Sequence, residues 1–466
     1  MNAIDRLRGQ LCAGTHRRPL RVLCGSGQLG YGIPEKALQA GFEREPHFVG
    51  CDMGSIDPGP YYLGSGEMAT SVDVTRRDLE LVLLGSRRAN IPLLIGTAGT
   101  AGSDLHLERV VQLVRNIAKA HDLHFNLAQI PADIAAEVVV EAIEGQRVRP
   151  LGHMPELTRD DALACKAIVG QMGVEPFQRA LEEGADVIIA GRACDTAIFS
   201  AIPLMLGYAV GPSVHMAKII ECSSLCCVPG GGDAIMGTIE GETFILECMN
   251  PERIVTPMSA AAHSLYEEAD PYVIHEPDGV VMLNDVRFED LDGRCVRGSG
   301  AKWDASPVHT IKLEGAAYEG ERVLLLAAAA DPNVISSLDE ILHALQERVA
   351  VTIGSANTVG YRLWFRKYGF DGVVDWPDQP KVSPREVFIL GECVAATSQI
   401  ASMVLGVAKQ NLLHYGFEGR TTTAGNVAFP ITPPEVKAGA AYRFRVFHVM
   451  DAPDMKALFP VIHEKL

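Results

Sequence analysis

Between Pro19 and Ala209, short runs of β-branched and apolar residues alternate with longer stretches whose apolar residues recur every three or four positions. That alternation constrains the fold more than any other feature, because it is the pattern of βαβ units, in which crossover helices join parallel strands. The strand runs are Leu20 to Cys24, His47 to Cys51, Leu93 to Thr97, His124 to Leu127 and Val187 to Ala190. The spacing predicts helices over Leu79 to Ala89, Leu107 to Ala120, Ile134 to Glu144, Arg159 to Met172 and Pro176 to Glu183.

From Glu221 onward glycine, proline and short alternating runs take over. Strands are expected at Thr243 to Cys248, Val280 to Asp285, His309 to Leu313, Arg362 to Phe365, Val387 to Leu390 and Tyr442 to Val449, with a turn at Glu276 to Gly279. One helix is expected over Ser336 to Val349, where Ser337 and Glu340 have capping-box spacing. The reading is an α/β protein: an N-terminal parallel-sheet layered domain over residues 1–215 and a strand-rich α+β domain over 216–466. A length of 466 residues suits two or three domains with real cores.

Charge narrows the partners. A formal net charge of −17 leaves no basic stripe for a phosphate backbone, which argues against nucleic acid and against an anionic membrane surface. The most apolar stretch, Val394 to Leu413, is broken by Thr397, Ser398, Gln399, Ser402, Lys409, Gln410 and Asn411, so a packed helix is expected there and not a membrane span. Eleven cysteines, none at CxxC spacing, and an N-terminus without an apolar signal core point to reduced thiols in a cytoplasmic protein.

In a parallel sheet, ligands collect where strand ends meet helix N-termini. The first such loop, GSGQLGYG, carries Gly25, Ser26 and Gly27 and fits G-x-G-x-x-G through Gly30, with Asp52 ending the next strand. Tyr31, Gly32 and Pro34 follow at once, so the helix starts too late for the dinucleotide fingerprint, and NAD or FAD, another ligand and a tight structural turn all stay open. The second loop holds Asp52, Asp57 and Glu67 among four glycines, and a loop this long is functional or a solvated excursion. The third presents Thr97, Gly99, Thr100 and Ser103, read as an anion cradle or as helix capping by Ser103 or Asp104. The fourth sets Arg192, Cys194 and Asp195 where a strand meets a helix; Arg192 offers a fork for a carboxylate, or an ion pair with Asp195.

Beyond these, Glu221, Cys222, Cys226, Cys227 and Asp233 surround a triple glycine. Zinc, a reactive thiol and packed thiols are the alternatives, and His215, His263 and His275 are read as structural or catalytic. No serine-hydrolase elbow, zinc-protease helix motif, EF-hand loop or P-loop occurs.

Taken in order, several strings resemble the acyclic terpene utilisation (AtuA-like) family. They are GADVIIAGRACDTAIF at Gly184 to Phe199, IIECSSL at Ile219 to Leu225, GGGD at Gly230 to Asp233, AAHSLYEEADPYVIHEPDGV at Ala261 to Val280, HTIKLEGA at His309 to Ala316 and RKYGFDGV at Arg366 to Val373. ECSSLCC departs from the ECG followed by small residues that the family leads one to expect. The resemblance implies an N-terminal α/β core meeting a strand-rich domain across a glycine-rich cleft. It also implies catabolism of branched acyclic terpenoids or other carboxylic acids, as acids or CoA thioesters, and a small ferredoxin-like domain, expected here as a separate partner subunit; a homo-oligomer is expected as well.

On this reading the protein is a lyase, hydratase or isomerase acting on a carboxylate or acyl-CoA in an interdomain cleft. Arg192 is the expected carboxylate clamp, Asp52 or Asp195 the acid/base or metal-coordinating group, and the loop from Thr97 to Ser103 the anion cradle. The family-like strings add Glu221, His263, Glu276 and Lys312. Mg²⁺ is admitted with no ligand set assigned. A noncatalytic accessory subunit and an NAD(P)-dependent oxidoreductase are the alternatives.

Overall fold

A computed structural model of the protein describes residues 3–12, 17–266, 269–374 and 384–466. The chain forms two compact units, one of Met1–Ala317 with Phe444–Leu466 and one of Tyr318–Arg443.

The first unit is built on a ten-stranded sheet. Its centre is the five strands foreseen from the alternating pattern, Leu20–Ser26, Phe48–Asp52, Leu93–Gly96, Val187–Ala190 and Asn126–Ile130, paired in that spatial order and all parallel. Alternate residues feed two separate cores, as a period of two requires. Leu20, Val22, Phe48, Leu94, Ile188 and Ile130 face one cluster, while Leu23, Val49, Cys51, Leu93, Ile95 and Ile189 face the other. Helices cover both faces, which is why these strands read as continuous apolar runs. Antiparallel strands flank the parallel centre: Ile235–Glu240 pairs with Leu20–Ser26, followed outward by Thr243–Cys248, Cys295–Ser299 and Arg287–Asp290, and Ile462–Lys465 closes the other edge. The fold class is therefore mixed α/β.

The boundary expected at 215/216 falls inside this unit, because the strands that follow it extend the N-terminal sheet. A separate antiparallel sheet of Val273–Glu276, Gly279–Met282 and Lys302–Ala305 carries the expected turn, with Pro277 and Asp278 joining its first two strands.

Two local expectations are corrected. The helix predicted over Arg159 to Met172 ends at Ala164, and Cys165–Gln171 is a strand paired antiparallel with Lys312–Ala317. The partner strand decides here, since Ile168 and Val169 fit a buried strand as well as a helix face. Ser337 is an N-cap residue, but its side chain makes no capping hydrogen bond, because a short helix, Pro332–Ser336, runs directly into it with near-helical φ and ψ.

The second unit pairs Glu321–Ala329 antiparallel with Val387–Ala395, and the latter with Tyr361–Tyr368. Helices Leu338–Ile353 and Ser398–His414 bury Ile341, Leu345, Val404, Leu405 and Leu412 against this sheet. Among the described residues no helix is long and apolar enough to cross a membrane.

Candidate functional site

The carboxyl ends of the parallel strands open into a cavity of about 850 Å³, and every residue lining it belongs to the first unit. Ser26 and Asp52 end their strands, Arg192 and Asp195 stand between the strand Val187–Ala190 and the N-terminus of the helix Asp195–Met205, and Lys218 and Glu221 come from the end of the helix Val210–Ile220. Lys312 reaches in from the strand that begins at Thr310, and Glu276 from the end of Val273–Glu276. Strand ends with helix termini place these side chains together, as the parallel topology requires.

One wall carries two cations on one carboxylate. Arg192 Nε lies 2.8 Å and Nη2 3.3 Å from the two oxygens of Glu314, and Lys312 Nζ lies 2.9 Å from Glu314 Oε1. Burial opposes ionisation of Glu314, yet Arg192 and then Lys312 hold its carboxyl below the usual range. The same pairing keeps the Arg192 guanidinium charged against the cost of its own burial. Asp195 is 4.0 Å from Arg192 Nη1, so the ion-pair reading foreseen for Arg192 holds with Glu314 as the close partner in place of Asp195. Lys312 Nζ also sits 4.7 Å above the Phe447 ring.

The facing group is a chain of carboxyls. Asp52 is buried, and burial followed by the charge of Asp195 pushes its carboxyl well above the ordinary range. Met53 N donates to Gly96 O, and Asp52 Oδ1 has no hydrogen-bond partner among the described residues. Asp195 hydrogen-bonds Glu221, whose carboxyl is raised by burial and by Asp195 against the pull of Lys218, 2.6 Å away. Asp195 Oδ1 is a second buried oxygen with no hydrogen-bond partner among the described residues. Two raised carboxyls beside a third and beside an ammonium form a set that can exchange protons with a bound molecule.

Ser26, Gly27, Asp52, Arg192, Asp195, Glu221, Glu276 and Lys312 are thus brought together. Glu276 accepts a 2.6 Å hydrogen bond from Thr196 Oγ1. His263 stands behind the wall, stacked on Tyr266 at 4.6 Å, and burial with nearby Lys218 lowers its pKa to about 4. Gly25 points away, its missing Cβ facing Cys51, Val82 and Leu38.

The loop from Thr97 to Ser103 lies outside the cavity lining and serves as a seat for Arg192. Three of its N–H groups are engaged by backbone carbonyls: Thr97 N donates to Gly191 O, Ala98 N to Ala190 O and Gly102 N to Ala98 O. Arg192 N donates to Gly102 O at 3.0 Å, and Thr97 Oγ1 accepts from Arg192 Nη1 at 3.4 Å. Gly99 packs on His106, Thr100 Oγ1 accepts from Ala69 N, and Ser103 Oγ bonds His106 Nδ1. A Cβ on Gly102, at φ +67, would lie 2.3 Å from Arg192 N.

The turn after the first strand is likewise filled from within. Asp78, on the helix Val72–Ala89, accepts from Gly30 N at 3.0 Å, Gly32 N at 2.8 Å and Ile33 N at 2.9 Å. A buried carboxylate so occupies the donors that a pyrophosphate would need.

Sequence reasoning missed Lys218, Glu314, Tyr266 and Asp78. Lys218 carried a signal, since it precedes Glu221 by three residues on a helix, and so did Glu314, which follows Lys312 by two on a strand. The Cys222 thiol lines the cavity 2.9 Å from the Tyr266 hydroxyl and is pushed up to about 12 by burial and by Glu221. Among the described residues no group of three or more His, Cys, Asp or Glu side chains is disposed to hold a metal ion.

The family model described as acyclic terpene utilisation family protein AtuA matches residues 82–233 and 236–428. No curated protein and no solved structure matches the chain.

Proposed function

The chain belongs to the acyclic terpene utilisation family of AtuA proteins, a family of catabolic role, and on that premise we propose that the cavity is the active site of an acid–base enzyme acting on a carboxylic acid or acyl-CoA thioester. The observation that carries this reading is the pair of buried carboxyls, Asp52 and Glu221, that share one cavity with Asp195 and are both raised by burial and by its charge.

The chemistry follows from the groups present. Lys312, with Arg192 behind it, holds the substrate's carboxylate or thioester carbonyl and steadies the charge that grows there when a proton leaves the neighbouring carbon. Asp195 takes that proton. A protonated carboxyl, Glu221 or Asp52, gives its own proton to a departing hydroxyl, so that water leaves and a carbon–carbon double bond forms, or returns it to another carbon, which gives isomerisation. Lys218 keeps Glu221 oriented through their 2.6 Å contact.

The test is deuterium exchange. Branched acyclic hydroxy and unsaturated acids and their CoA thioesters are incubated with the protein in D₂O and followed by NMR. Incorporation beside the carboxyl carbon, falling by about a hundredfold or more in D52N or E221Q while the fold is kept, is the expected result. Equal exchange in both variants would sink the proposal, and so would undiminished support of a partner enzyme by those variants, the behaviour of a noncatalytic subunit.

A further inference from the structure

Glu314 has no solvent exposure and touches no part of the cavity, yet both cations on one wall are fixed by it. Lys312 and Glu314 lie two residues apart on the strand that starts at Thr310, so their side chains leave the same face. The strand is held in place by Cys165–Gln171, with Lys312 opposite Gln171 and Glu314 opposite Val169. Arg192 arrives from the other direction, its backbone tied to Gly102 and its fork closed on Glu314.

A carboxylate that pairs with two cations leaves the wall with a single net positive charge, and Glu314 spends both oxygens doing so. Its neutralised partner Arg192 is 5 % exposed, whereas the Lys312 side chain is 29 % exposed on the same cavity. The cation able to meet a ligand directly is therefore Lys312, which Glu314 and the Phe447 ring hold from two sides.

We infer that Glu314 is the positioning residue of an anion subsite, fixing Lys312 Nζ over Phe447 so that it receives one carboxylate group of the substrate, with Arg192 supplying the background charge. This deepens the proposed function, on whose substrate class it rests, by naming the buried carboxylate that sets where Lys312 meets the anion.

The experiment measures binding alone, so it is separate from turnover. Calorimetry follows 3,7-dimethyloctanoate, a branched acyclic carboxylate, and its uncharged amide, titrated into the unmodified protein and into K312Q and E314D. E314D keeps the charge but withdraws it by one methylene. Expected are tighter binding of the carboxylate than of the amide, a loss of about tenfold or more for the carboxylate in K312Q and in E314D, and amide binding unchanged in both. A general loss of structure would weaken both probes alike, and K312Q, on a partly exposed side chain, keeps the subsite testable if E314D unfolds. Carboxylate binding at the unmodified level in K312Q, or no preference for carboxylate over amide in the unmodified protein, overturns the subsite. Unmodified binding in E314D overturns the positioning role. Should the carboxylate bind as expected while D52N and E221Q exchange deuterium normally, the acid–base proposal fails and the subsite stands.

Discussion

Glu314 Oε2 lies 2.8 Å from Arg192 Nε, and this ion pair, 122 residues apart in sequence, is buried. Two nitrogens of the guanidinium fork meet the two carboxylate oxygens, a match that an ammonium cannot reproduce. Arg192→Lys is expected to destabilise the protein by about 2 to 4 kcal/mol, since it leaves a buried carboxylate partly unmatched. Because the Glu314 carboxyl is held below its unfolded value, the pair's contribution is present above the ordinary carboxylate range and lost as pH falls below it toward the lower pKa of the folded protein. Urea unfolding of both proteins at pH 7 and pH 3.5 checks this: the gap should narrow in acid, and a gap independent of pH would contradict the assignment.

Asp52 titrates in the opposite sense. Its carboxyl is raised on folding, so above the unfolded value, near 4, the unfolded chain has released a proton that the folded protein retains, and stability falls as pH rises. D52N removes that dependence. The melting temperature of D52N should gain on that of the unmodified protein between pH 4 and pH 8, with turnover falling about a hundredfold or more. Parallel melting curves across this range would show that Asp52 ionises normally.

His215 is fully buried against Phe244 at 5.2 Å and Ser264 at 2.6 Å, and burial lowers its pKa to about 3. Unfolding therefore takes up a proton between that value and the unfolded one. Stability is complete above about 6.5 and declines in acid on the order of 1 kcal/mol per pH unit from this group. His215→Gln should lower the slope of unfolding free energy against pH between 6 and 4 by that amount, as read from denaturant titrations.

Gly27 owes its identity to a neighbour and not to its own backbone angle. A Cβ there would stand 2.6 Å from the Cys222 carbonyl carbon and 2.8 Å from Glu221 O, both backbone atoms, so G27A should cost about 2 to 4 kcal/mol and displace Glu221. At Gly232 nothing lies within 4 Å, and G232A should be neutral within about 0.5 kcal/mol. Thermal unfolding of the two variants makes the comparison.

Asp78 offers a last test. Its carboxylate receives three backbone N–H groups, and D78A should cost about 2 to 3 kcal/mol by stranding them. With those donors engaged, saturating NAD or NADP should leave the melting temperature of the unmodified protein unchanged, whereas a ligand bound to the native state would raise it.

Much of the fold was legible because it is local. The five parallel strands followed from short apolar runs, and their covering helices from three- and four-residue spacing, since both periods are dictated by backbone geometry that a sequence displays directly. The strand Cys165–Gln171 was not legible, because its apolar residues satisfy either period and the choice was made by a partner nearly 150 positions later in the chain. The division into units failed to appear for the same reason: strands after residue 216 pair with the first strand of the chain, and no change of composition announces that.

At the site, the sequence by itself determined which residues stand at strand ends, and so placed Asp52, Arg192 and Asp195 in one neighbourhood through the topology of parallel sheets. It did not determine what each residue does there. That Arg192 is closed on Glu314, that Asp78 fills the glycine-rich turn, that Thr97 to Ser103 seats a backbone, and that burial raises the carboxyls of Asp52 and Glu221 are outcomes of the tertiary structure alone. Charge pairing and desolvation depend on distance in space and on exclusion of water, and neither quantity is written in the order of residues along the chain.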